Sequence, residues 1–273
     1  MPVWAIFLTL LPRPILAQLE LKLDQNPQAV FAGEAEPVEV EFHNPTDKPI
    51  ETDLRTQLYQ TSSATVIPLG KPRDWKKLRV LPGQTVLDST VLAFPSVKNG
   101  TRFLVEWLDE KNKTLGKADV MVYPTNLFRA LKPLAGNSPL GVYDPQNQLK
   151  PLLKGLALEF EDLADAGVEA FSGNLAIIGP FRSKMDLYDG LGSQIKALSK
   201  KGKAIVWIQA PPEKRGKLQP SFYSVPEKEI AVVIVQPELV ADLPENPNAQ
   251  LNLIYFCQLA LHPQEPSLPK QSH

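Results

Sequence analysis

Apolar and polar residues alternate in short runs as far as Tyr123, and solid apolar runs separated by amphipathic stretches follow. Alternation with period two places every second side chain on one face, the mark of a half-buried strand. Leu19, Leu21 and Leu23 show it first, then Val38, Val40 and Phe42 between glutamates. Ile50 to Leu58, Thr85 to Phe94, Thr101 to Leu108 and Lys117 to Tyr123 continue it. Turn formers separate these runs: Asn44-Pro45-Thr46-Asp47-Lys48-Pro49, Leu81-Pro82-Gly83-Gln84 and Glu110-Lys111-Asn112-Lys113. About seven short strands with regular turns predict an all-β sandwich over residues 18–123.

Beyond a short linker at 124–126, the grammar changes. Leu140 to Tyr143, Leu156 to Phe160, Leu175 to Ile178, Ala204 to Ile208 and Ile230 to Val235 read as strands buried on both faces. Helical stretches lie between them. Asp144-Pro145 suits a helix start running through Leu153. Leu187, Leu191, Ile195 and Leu198 share one helical face, and Lys200-Lys201-Gly202-Lys203 ends that helix. Asn246-Pro247 opens a last helix reaching Leu261. Alternating strands and helices predict an α/β doubly wound parallel sheet over residues 127–262, with a disordered tail at 263–273.

The first half resembles the immunoglobulin-like or fibronectin-like accessory domains of bacterial exported proteins, without the Cys–Trp–Cys signature of antibody domains. The second half resembles, in the order of its elements, flavodoxin-like domains of the class I glutamine amidotransferase-like group. That resemblance implies a nucleophilic cysteine on a glycine-flanked turn after a central strand. The corresponding strand end reads Trp207-Ile208-Gln209-Ala210-Pro211-Pro212, with neither cysteine nor glycine. The implied domain is therefore catalytically degenerate.

Composition narrows the compartment and the partner. Val3 to Leu11 is apolar, uncharged and too short to span a bilayer as a helix. Ile15 and Ala17 suit signal-peptidase cleavage before Gln18, although no cation precedes the apolar run. Residues 1–17 therefore read as a signal peptide, and the protein as secreted or periplasmic. Removing them leaves 28 basic against 30 acidic residues, which gives nucleic acid no electrostatic attraction. No other segment is apolar enough for a transmembrane helix. A lone cysteine, Cys257, excludes an internal disulfide and a cysteine-based zinc site. It stands four residues from both Leu253 and Leu261, the spacing of a helix core position.

Candidate chemistry is sparse. The three histidines, His43, His262 and His273, are scattered, and no Gly-x-Ser-x-Gly is present. No metal site and no cofactor is expected. Asp144 and Glu161 lie near the ends of the first two parallel strands and could serve as paired acids; Asp144 is equally explained by capping. Gly179-Pro180-Phe181-Arg182-Ser183-Lys184 follows a strand, and its amides with Arg182 and Lys184 could hold an anion. Trp75 stands among Lys71, Arg73, Lys76, Lys77 and Arg79 and could stack on a sugar; the plainer reading is a solvated loop with the ring folded inward. Glu34, Glu36, Glu39 and Glu41 offer oxygen for calcium, but Glu39 and Glu41 are the polar face of a strand.

The leading expectation is a non-enzymatic binding or interaction protein with a protein or glycan partner in the envelope. One alternative is a carboxylate-dependent hydrolase of envelope glycans using Asp144 and Glu161. The other is a small-anion or sugar-acid receptor using Arg182 and Lys184.

Overall fold

The computed structural model describes residues 20–22, 27–33, 35–211, 223–224 and 232–262. The expected signal peptide at 1–17, Glu34, the tail at 263–273 and His273 lie outside the described residues. Contacts group the chain into two compact units. Of the described residues, one holds those up to Gln28 with Ala35–Ala93 and Thr101–Met121; the other holds residues 29–33, Phe94–Gly100 and those from Val122 onward.

Among the described residues, nine strands form before Pro124: β1 (Glu20–Lys22), β2 (Gln28–Phe31), β3 (Ala35–His43), β4 (Ile50–Thr61), β5 (Val66–Pro68), β6 (Arg73–Val80), β7 (Thr85–Ala93), β8 (Thr101–Leu108) and β9 (Thr114–Tyr123). In the first unit β3 lies between β1 and β7, antiparallel to both. A second antiparallel sheet runs β9-β8-β4-β5. The long β4 pairs with β8 along one edge; on the other it takes β6 and then β5, with a bulge between Leu54 and Arg55. Val38, Val40 and Phe42 of β3 are buried, as are Phe103, Val105 and Trp107 of β8. Alternation puts those residues inward and leaves Glu39 exposed.

The second unit is a layered α/β structure. Its elements are α1 (Leu131–Ala135), β10 (Leu140–Tyr143), α2 (Leu149–Gly155), β11 (Phe160–Asp162), α3 (Leu163–Ala166), β12 (Leu175–Ile178), α4 (Leu191–Lys200), β13 (Ala204–Ile208), β14 (Tyr223–Ser224), β15 (Val232–Val235) and α5 (Pro247–Leu261). The sheet order is β11-β10-β12-β13-β15-β14. The first five strands are mutually parallel, and β14 is antiparallel to β15. Two apolar clusters sandwich it. Val142, Ile177, Val206 and Val233 join one with Leu149, Leu153, Leu253 and Cys257. Ala176, Ile178 and Ile205 join the other with Phe171, Leu191, Ile195 and Leu198. Burial on both faces explains the uninterrupted apolar runs.

Two expectations about fold class are corrected. The chain is not an immunoglobulin-like all-β domain followed by a purely parallel α/β domain of the flavodoxin-like, amidotransferase-like kind. Residues 29–33 and 94–100 are grouped with the α/β unit, where the Ala32 amide donates to Tyr123 O (2.8 Å) and the Gly33 amide to Phe94 O (3.1 Å). The sheet there is mixed. Period-two alternation reports which face of a strand is buried, not which neighbour it pairs with. The basic stretch around Trp75, read as a loop, is β6.

Candidate functional site at the carboxyl edge of the parallel sheet

After β10 the chain continues toward β11 on one side, and β12 lies on its other side. The carboxyl ends of β10 and β12 thus flank the point where the strand order reverses, the usual ligand crevice of such sheets. Gly179 brings the two ends together: its amide donates to Tyr143 O at 2.8 Å. Its φ of +105° and the 2.9 Å a Cβ would leave to Ile208 require glycine here.

Asp144 leaves β10 with its side chain almost fully buried. Its Oδ2 accepts from the Leu149 amide (2.8 Å) and the Lys150 amide (2.9 Å), the first two of α2. Asp144 is thus not the N-cap residue itself: α2 begins at Leu149 after Gln148, not at Pro145, and the Asp144 carboxylate reaches its first amides from five residues before. Asp144 Oδ1 has no partner among the described residues. From α2, Lys150 Nζ pairs with Asp162 Oδ2 at 2.6 Å, and Asp162 Oδ1 accepts from the Ala164 amide. Burial alone pushes the Asp162 carboxyl up, but the Lys150 ammonium and the Ala164 amide outweigh it and hold the group below its usual range.

The loop after β12 is organised by a residue that sequence reasoning missed. Asp186 Oδ2 accepts from the amides of Arg182 (2.7 Å) and Ser183 (3.2 Å) and from Gln146 Nε2 (3.0 Å). Gln146, in the loop after β10, also accepts from Arg182 Nε at 2.7 Å, so it ties the two loops together. Ser183-Lys184-Met185-Asp186 is a capping box, a spacing visible in the sequence. Beside it Tyr143 stands between Phe181 (6.1 Å between ring centres) and Tyr188 (5.9 Å, edge-on). The Tyr188 hydroxyl donates to Gln194 Oε1. Burial raises both phenols, which keeps them neutral. Arg182, Lys184, Met185 and Tyr188 remain exposed, Met185 at 93%.

Asp144 and Glu161 are not brought together. Glu161 is level with Gly141, whose face meets the Phe171 ring; Asp144 turns to the opposite face, toward α2. Cys257 is enclosed in α5, and burial pushes its thiol far up, so no thiolate forms near neutral pH. His43 contacts Thr85 in the first unit, and His262 terminates α5. Trp75, half-buried, leans on Phe42 (6.2 Å), and Lys76 Nζ lies 5.0 Å over its ring. Lys76 in turn pairs with Asp88, and Arg79 with Glu51 (3.3 Å). The basic cluster is therefore partly neutralised, and a cation already occupies the indole face. Among the described residues, no group of three or more His, Cys, Asp or Glu could hold a metal, and no helix is long and apolar enough to cross a membrane.

No protein-family model and no curated protein matches the chain. Weak likenesses exist among solved structures. A β-glucosidase from Listeria innocua in complex with gluconolactone shares 17% identity, with 40% of this chain and 16% of that chain covered and a TM-score of 0.30. The alkylpurine DNA glycosylase AlkC of Pseudomonas fluorescens, bound to DNA containing an abasic site analog, gives 15%, 39%, 31% and 0.31 for the same measures. A GH3 β-glucosidase of Bifidobacterium adolescentis gives 13%, 39%, 17% and 0.29. The chain spans well under half the length of each, and similarity this low carries no functional argument.

Proposed function

We propose that the protein is an exported, non-enzymatic binding protein that holds an uncharged, hydroxyl-rich partner, a glycan, at the carboxyl edge of its parallel sheet. One observation carries this reading. Both sets of backbone amides that could bind an anion there are occupied by the chain's own carboxylates, Asp144 over α2 and Asp186 in the loop after β12. A phosphate or sugar acid would have to displace a charge-assisted hydrogen-bond set. What stays open is the Arg182 guanidinium beyond its Nε and the exposed part of Tyr188. Donor and aromatic ring together suit hydroxyl groups on an apolar ring.

The hydrolase reading loses its acid pair, because Asp144 and Glu161 face opposite sides of the sheet. The anion reading loses its backbone donors. Export rests on the sequence of residues 1–17 and is tested by fractionating cells that express the full chain. The binding claim is tested by calorimetry with soluble gluco-oligosaccharides, using Arg182→Ala and Tyr188→Ala. Both variants should weaken binding while the protein stays folded, as circular dichroism would show. Oligosaccharide cleavage by the wild-type chain would contradict the reading.

A further inference from the structure

A second cleft lies at the opposite, amino edge of the same sheet. The loop joining α1 to β10 and the loop joining α2 to β11 enclose about 210 Å³ between them. Leu131, Leu140 and Leu158 supply its apolar lining, and Lys132, Asn137, Ser138 and Glu159 its polar lining. The volume is several times the ~30 Å³ share of one water and below the ~300 Å³ at which drug-sized sites begin. It therefore suits a molecule of amino-acid size.

The charges are what make this cleft specific. Lys132 lines it from α1 and Glu159 from the loop after α2; among the described residues no ion pair joins them to each other or to another side chain. Asn137 and Ser138 likewise direct no side-chain hydrogen bond to the described protein. Two opposite charges bordering one small volume without neutralising each other complement a ligand that bears both. A simple anion leaves Glu159 uncompensated, and a simple cation leaves Lys132 so. We propose that this cleft binds a free α-amino acid, its carboxylate on Lys132, its ammonium on Glu159 and an apolar side chain toward Leu131 and Leu158. The site is separate from the carboxyl-edge rim and does not depend on what binds there.

The test is isothermal titration of the full chain with leucine, N-acetyl-leucine and leucinamide. Leucine should bind, and each singly charged derivative should bind about severalfold more weakly, as the loss of one solvent-exposed charge contact implies. Lys132→Ala and Glu159→Gln should each weaken leucine by a similar factor. Both residues are exposed, so neither variant should shift the melting temperature of the free protein. Lys132→Arg should retain binding. Absence of leucine binding overturns the proposal, as does equal binding of the blocked derivatives or indifference to both variants.

Discussion

Asp144 shows how one side chain can look catalytic in a sequence and be structural in the fold. It follows the first parallel strand, where chemistry is expected, but its carboxylate is buried and committed to the amides of Leu149 and Lys150. Asp144→Ala should cost about 2 kcal/mol, because a buried and a part-buried donor lose their acceptor; urea unfolding would show it. Asp162 adds a pH dependence. Its carboxyl is held low in the folded protein, so its contribution is present above the ordinary carboxylate value and fades as pH falls through the lowered one. Stability should therefore fall below about pH 4, and Lys150→Met should flatten that acid limb. A limb unchanged in the variant would refute the Lys150–Asp162 assignment.

Among the elements, α2 tests the account most sharply. Its end is a Schellman arrangement: the Leu158 amide donates to Leu153 O (2.9 Å) and the Ala157 amide to Lys154 O (3.0 Å). Such an end wants glycine, yet Ala157 sits there at φ +52°. Ala157→Gly should raise stability by about 1 kcal/mol, seen as a higher denaturant midpoint at unchanged slope. Sequence pattern located most elements of this half. Asn246 caps α5 through the amides of Asn248 and Ala249, as the Asn-Pro start implied. β12 and β13 fall within their apolar runs. The expected helix from Leu187 starts only at Leu191, because the capping box around Asp186 takes the preceding residues into a separate turn. In the first half β2, β5 and β6 escaped notice. β5 has only three residues, all exposed, and β6 carries four cations, so neither shows clean alternation.

At the scale of the whole molecule, what the sequence left illegible is pairing and proximity. Which strands neighbour β4, and which face Asp144 and Glu161 take, depend on contacts distant along the chain. The same holds for the rim: Gln146 and Asp186 lie 40 residues apart and meet only because β10 and β12 are adjacent. No periodicity signals that encounter, although it decides that the rim offers side-chain groups and not backbone amides to a ligand. The most direct test is calorimetry of the protein with soluble gluco-oligosaccharides, beside inorganic phosphate, followed by analysis of the sugars recovered. The account predicts binding of an oligosaccharide, weakened by Arg182→Ala and Tyr188→Ala, with the sugar returned uncut and phosphate silent. Phosphate binding lost in Arg182→Ala, or cleaved sugar lost in an Asp144 variant that still folds, would contradict it.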